Sequence, residues 1–501
     1  MNTRLLAFFG KYCILSILVA PMFLWAQRSD RIALNGQDLF ISGGNVAWVN
    51  FAQDVGINSS PISQFDALFS EMSANKGNTM RLWIHTNGAH TPSWDGFNVT
   101  GAGEETISDL KAILDTAWAH KVSLILCLWS FDMLRKSYGP IVTDRARSLL
   151  TDSTRTRTYI NNALIPMVKA LKGHPAILAW EILNEPEGMS NEFGWDLAYH
   201  VPMSNIQRFV NMTTGAIHRA DPQAKVTNGS YSMSVLTDVS SDVLNKTSAL
   251  TDSEAEYLQQ ALSVRYRHTF SLEETRQFHE MMTSASRKNY YSDAELIKAG
   301  NDAKGTLDFY TAHYYDWGGT ALSPFHHDYS YWKLTKPLVI AEFFLKDTFG
   351  VSYKTLYETL YNRGYAGALG WQWYDRNSSD LGYNWTRILE NTRRMWTLHS
   401  KEVSIGQATD YAPPFDFSVS ANYPNPFDSY TTFHYKLPQA TSIRIQVFDV
   451  TGRLVLTLIE GMQDMGEYTV TFESGNLPNG FYLLRFTSNQ YQATRKMILL
   501  R

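Results

Sequence analysis

Cysteine is nearly absent from this 501-residue chain, which has only Cys13 and Cys127. Cys13 opens an apolar run, residues 13–25, that follows Arg4 and Lys11 and ends at Ala26-Gln27. That run is too short and too asymmetric for a spanning helix and has the build of a secretory signal peptide, residues 1–26. Once it is removed, Cys127 stands alone, so an internal disulfide is excluded and stability must come from core size. Excess charge is also missing: a formal net charge of −4 leaves no basic footprint for nucleic acid. The histidines lack metal-site spacing, so no metal is expected, and His85, His90 and His326-His327 read as loop or groove residues.

What is abundant is aromatic. With 14 Trp and 27 Tyr, the chain has material for surfaces that stack on sugar rings, although large cores use aromatics as well. Its length exceeds what one core supports, and two or three domains are expected, one of them a barrel of about 250 residues or more. Strand and helix patterns alternate. Residues 38–50 carry a first strand into Gly43-Gly44-Asn45, and Ile62, Phe65, Leu68, Phe69 and Met72 mark one face of a helix. Further strands are expected at 79–84, 122–129, 176–183, 226–228, 306–314, 337–341 and 367–373, several of them unbroken apolar runs, as when both faces are covered. Eight such units specify an α/β fold, a closed (β/α)8 TIM barrel over residues 27–402.

Residues 231–305 interrupt the alternation. Two capping-box starts, Thr251-x-x-Glu254 and Ser271-x-x-Glu274, mark this insertion as helical. Around Ala412-Pro413-Pro414 a linker, residues 403–420, leads to a different pattern. From 421 to 501 the chain alternates in period two, as at Ile443, Ile445, Val447 and Tyr482, Leu484, Phe486, with turns at Asp449-x-Thr451-Gly452 and Leu477-Pro478-Asn479-Gly480. A small all-β sandwich follows from that.

In a parallel barrel the working residues sit at the C-terminal ends of the strands. Those ends supply Arg81, Trp129-Ser130, Asn184-Glu185-Pro186, His313-x-Tyr315, Glu342, Trp371 and Trp373. Proline favours an extended residue before it, which would present Glu185 at the end of its strand. Glu342 ends the apolar run Leu338-Val339-Ile340-Ala341, where an unpaired charge is expensive, so it needs either a partner such as Arg81 or a chemical task. Two such carboxylates can stand about 5 Å apart, the spacing of a retaining glycosidase.

In that order and on those strands, the series resembles glycoside hydrolase family 5 and its clan of (β/α)8 retaining enzymes. The resemblance implies that Glu185 is the general acid/base and Glu342 the nucleophile. It further implies that Asn184 meets the sugar 2-hydroxyl, that Arg81 and Tyr315 orient Glu342, that His313 lines the reacting subsite and that Trp373 stacks beneath the ring, with Trp129 also binding substrate. No cofactor is implied. Trp83, Trp94, Trp129, Trp317 and Trp373 are candidate platforms for successive sugars. Many cellulases of the family carry Trp-His where this chain has Trp129-Ser130, which favours a β-mannanase over an endo-β-1,4-glucanase. The insertion is expected to wall one end of the groove.

The last module has its own resemblance. Tyr423-Pro424-Asn425-Pro426-Phe427, Thr451-Gly452-Arg453 and Arg495-Lys496-Met497 are similar to the type A sorting domain of type IX secretion. That implies secretion or display at the outer-membrane surface, with the secretion machinery and a polysaccharide or oligosaccharide as partners, and a monomer is expected. Competing readings are a surface glycan-binding protein on the same scaffold and a structural adhesin.

Overall fold

The computed structural model describes residues 30–501 apart from 57–59, 240–249, 267, 284–287, 374–382, 406–416, 438–440, 464–465 and 489–491. The expected signal peptide and most of the expected linker lie outside the described residues.

Eight parallel strands close into a barrel in sequence order. They are β1 (Ile41–Ala47), β2 (Thr79–Thr86), β3 (Ser123–Ser130), β4 (Ile177–Asn184), β5 (Val226–Ser230), β6 (Tyr310–His313), β7 (Leu338–Glu342) and β8 (Gly367–Gly370). Apart from Ile177 at the start of β4, their residues are buried, which is why they read as near-continuous apolar runs rather than alternating ones. The helix Ile62–Ala74 turns Phe65, Leu68, Phe69 and Met72 inward, the face its periodicity marks. At the N-terminal end of the barrel, Ile32, Leu34 and Leu39 of a short hairpin form one apolar cluster with Ile41, Ile125, Leu178, Val339 and Leu369.

The insertion is helical over Asp252–Tyr266, Leu272–Thr283 and Asp293–Gly300. Both capping boxes form: Thr251 N–H donates to Glu254 Oε2 at 2.9 Å and Ser271 N–H to Glu274 Oε2 at 2.8 Å, with the reciprocal bonds at 3.3 and 3.1 Å.

A three-stranded and a four-stranded antiparallel sheet build the C-terminal module around Phe433, Tyr435, Ile445, Val447, Leu484 and Phe486. Ile445 lies opposite Phe486 and Val447 opposite Leu484, so the period-two residues pair on one face. The strand Ser418–Val419 already pairs with Tyr435 and Lys436. The module thus begins before residue 421, because a two-residue strand is too short to show alternation.

At Gly43, paired with Thr79 of β2, an added Cβ would lie 1.7 Å from the Thr79 carbonyl oxygen. Gly43→Ala should therefore force β1 away from β2 and destabilise the barrel by about 1–3 kcal/mol, read as a lower denaturation midpoint. Gly101→Ala, where nothing lies within 4 Å, is the neutral comparison.

Candidate active site

Arg81 of β2 is fully buried, and each of its N–H groups has a partner. Nε and Nη2 donate to the two oxygens of Glu181 at 2.8 and 2.5 Å, Nη2 also to Asn184 Oδ1 at 2.7 Å, and Nη1 to Asn45 Oδ1 at 3.1 Å and Glu342 Oε1 at 2.7 Å. A guanidinium only donates, so Asn45 and Asn184 must turn their carbonyl oxygens toward it. Their amide nitrogens then face elsewhere: Asn45 Nδ2 donates to the Ala341 carbonyl at 2.8 Å and Asn184 Nδ2 to Ser130 Oγ at 3.3 Å. One side chain thus ties together the ends of β1, β2, β4 and β7. Room for it comes from Gly229 of β5, where an added Cβ would lie 2.5 Å from Glu181 Oε1.

The two candidate carboxylates face each other beyond this network. Glu342 accepts from Tyr315 Oη at 2.9 Å on Oε2. Glu185 Oε1 lies 2.7 Å from His313 Nδ1, and the same nitrogen is 3.5 Å from Glu342 Oε2. One oxygen of each glutamate and one His313 nitrogen all fall within 4.8 Å of one another. Such a set can hold a divalent cation, but the Arg81 guanidinium on Glu342 opposes a second positive charge there. Burial lowers the His313 pKa to about 4, leaving the imidazole uncharged near neutrality. Burial also pushes the Glu342 carboxyl above its ordinary range, and Glu185 adds to this while His313 and Arg81 pull the other way.

Glu185 itself is not extended. Its φ and ψ are 47° and 47°, in the left-handed region, while its N–H donates to the Gly229 carbonyl at 2.7 Å. The preference that proline imposes is overridden here by a tertiary hydrogen bond, and the chain turns directly into the short helix Pro186–Met189.

Two tryptophans depart from expectation. Trp129 is wholly buried, with its ring packed against His85 at 5.0 Å and Tyr159 at 5.2 Å, rather than open at a groove surface. Trp373 lines a small cavity with Gln64, Ala67, Leu68 and Glu71 of the helix Ile62–Ala74, and its backbone N–H donates to the Asn45 carbonyl at 2.9 Å. Because β8 ends at Gly370, strand alternation no longer holds Trp371 and Trp373 on one side. Trp371 instead joins Trp48 and Trp83, whose rings lie 6.4 and 5.3 Å from its own, and Trp83 carries the Arg81 guanidinium 5.0 Å from its centroid. His85 is likewise buried rather than in a groove, and burial lowers its pKa to about 3.

Two further buried carboxyls belong to this end of β4. Glu181 stands inside the apolar strand 176–183 and needs a buried cation, the signal that drew attention to Glu342. Glu187, fully buried in the turn after Glu185, accepts from the Tyr231 N–H at 3.2 Å, and burial raises its pKa to about 7.

A family model described as cellulase, glycosyl hydrolase family 5, matches residues 41–375, and one described as a secretion system C-terminal sorting domain matches residues 421–500. The mannan endo-1,4-beta-mannosidase of Mytilus edulis is 33% identical over 397 residues, 74% of this chain and 93% of that protein. The corresponding enzyme of Cryptopygus antarcticus is 31% identical over 395 residues, 74% and 89% of the two. The crystal structure of the Mytilus edulis beta-mannanase superposes with a TM-score of 0.60 at 31% identity, covering 75% of this chain and 99% of that one.

Glu187 yields a pH prediction. Its carboxyl holds a proton more tightly in the folded chain, so the stabilisation is complete below pH 4.5 and is lost as pH rises towards 7. Glu187→Gln should flatten the fall in denaturation midpoint across that window, removing a pH-dependent contribution of about 3 kcal/mol.

Proposed function

Because this chain belongs to glycosyl hydrolase family 5, we propose that it is a retaining endo-β-1,4-mannanase in which Glu342 is the nucleophile and Glu185 the general acid/base. The approach of one oxygen from each glutamate to within 4.8 Å carries this assignment. Water cannot be placed between carboxyls so close, whereas direct attack from one of them can occur. The mannan-cleaving relatives, matched over most of their length, support the substrate.

The donors on Glu342 support its role as the ionised nucleophile. Arg81 and Tyr315 both donate to Glu342, favouring its charged form, while Glu185 faces an uncharged imidazole. The double displacement starts with Glu342 ionised and the proton on Glu185, and the Arg81 contact opposes the burial that raises the Glu342 carboxyl. In the first step Glu342 attacks the anomeric carbon while Glu185 transfers its proton to the departing glycosidic oxygen. In the second, Glu185 takes a proton from water, whose oxygen displaces Glu342 from the sugar. Asn184, oriented by Arg81, has a second amide hydrogen for the sugar 2-hydroxyl. Trp371, packed with Trp48 and Trp83 beside Arg81, is a candidate alongside Trp373 for the platform beneath the reacting sugar.

The C-terminal module is a sorting domain that directs the chain through type IX secretion to the cell surface or the medium. All members of the constellation come from one chain, so a monomer suffices.

Product analysis on β-mannan, glucomannan, β-glucan, carboxymethyl cellulose and xylan tests substrate and role together. Short manno-oligosaccharides are expected, reduced to background in Glu342→Ala. Glu185→Ala should lose about 10²–10⁴-fold on mannan but far less on aryl mannosides, whose leaving groups need little protonation. Products from β-glucan alone would reassign the substrate, and ordinary activity in Glu342→Ala would remove the mechanism.

A further inference from the structure

We propose that the helical insertion supports a wall on the leaving-group side of the cleavage point, with Trp317 as the sugar-facing member of that wall and His279 as its positioning residue. This rests on the roles proposed for Glu185 and Glu342. The barrel mouth carries two separate aromatic groups. One gathers residues from β2 and from the segments after β1 and β8: Trp48 stacks on Trp83 at 5.1 Å, and Trp371 lies 5.3 Å from Trp83. The other gathers residues that follow β4, β5 and β6: Trp195 meets Tyr231 edge-on at 5.8 Å, and Tyr231 stacks on Trp317 at 5.7 Å with planes 13° apart.

The second group belongs to the Glu185 side. The Tyr231 N–H donates to Glu187, two residues beyond Glu185, so the stack is tied to the turn that presents the acid. An acid that protonates the glycosidic oxygen faces the departing saccharide, so sugars on that side run toward Tyr231 and Trp317. Tyr231 is buried, whereas Trp317 is only half-buried. Tyr231 stacks on the indole, which keeps part of its surface in reach of solvent, and an indole is the kind of apolar ring on which sugars stack.

The insertion holds this tryptophan through its backbone. Trp317 lies in the turn Asp316–Gly318, directly after Tyr315. Buried His279, on the helix Leu272–Thr283, places Nδ1 2.8 Å from the Trp317 carbonyl oxygen. A carbonyl only accepts, so that nitrogen carries the hydrogen. On either side of Trp317, Tyr257 Oη donates to Asp316 Oδ2 at 3.2 Å and Thr320 Oγ1 to Glu254 Oε1 at 2.5 Å. Gly319, at φ +58°, lets the turn close on His279, where an added Cβ would sit 3.0 Å from the ring. Two insertion helices thus grip residues 316–320 at three points. Tyr315 has an anchor of its own in Phe344, 4.7 Å away by ring centroids, so the support of Glu342 does not depend on that grip.

The test compares two substrates in the full chain. Mannohexaose needs sugars bound on both sides of the cleaved bond, whereas an aryl β-mannobioside places only its aryl group on the leaving side. Trp317→Ala should lower kcat/KM on mannohexaose about tenfold, mainly through KM, and change it less than twofold on the aryl substrate, and Trp317→Phe should recover most of the loss. His279→Ala should show the same selective loss, and His279→Gln, which keeps a donor for the carbonyl, should restore it. Equal losses on both substrates, or no loss on either, would overturn the wall while leaving the catalytic roles intact. A parent chain inactive on both substrates overturns the catalytic roles and the wall with them.

Discussion

Everything at the barrel mouth depends on one guanidinium whose five N–H groups are all committed. Arg81 meets Glu181, Asn45, Asn184 and Glu342 from three other strands, and none of these side chains can move without leaving a buried charge or amide unpaired. A buried ion pair of this kind contributes little net stability, because desolvation offsets most of the Coulombic gain. Its effect is directional. Planar, donor-only geometry dictates which way both asparagines face, and it leaves Glu342 with one oxygen on Arg81 and the other on Tyr315.

That constraint also separates two chemically identical residues. Glu185 and Glu342 differ in their neighbours: a cation and a phenol for Glu342, an imidazole for Glu185. The imidazole is uncharged near neutrality because it is buried, so it can stand between two carboxyls without neutralising both. A third carboxyl, Glu187, lies just beneath and couples the acid-bearing turn to Tyr231 and the aromatic group beyond. The turn bearing Glu185 and the stack of Tyr231 on Trp317 are therefore parts of one packed assembly, braced by the insertion.

Much of the architecture was legible. Buried parallel strands must be apolar on both faces, so the runs 122–129 and 337–341 announce themselves, and the capping boxes at Thr251 and Ser271 announce helices because their hydrogen bonds are local. The strand-end residues Arg81, Asn184, Glu185, His313, Tyr315 and Glu342 do converge. Less visible was Glu181, hidden in a strand whose direction gave no hint that it faces Arg81. The tryptophans are the least legible. Large aromatics serve cores and grooves with the same side chain, and only the point where β8 ends separates Trp371 from Trp373.

What the sequence determined by itself was whatever depends on local periodicity or on residue type at strand ends: the barrel, the helical insertion, the sandwich, and the two glutamates. Local rules reach a few residues, and these features lie within that reach. Tertiary structure decided the conformation of Glu185, where a hydrogen bond to Gly229 of the next strand outweighs the influence of Pro186. It decided the burial of Trp129, the divergence of Trp371 from Trp373, and the grip of His279 on a carbonyl 38 residues away in the chain. Each of these outcomes is set by atoms distant in sequence, whose approach depends on how the barrel closes.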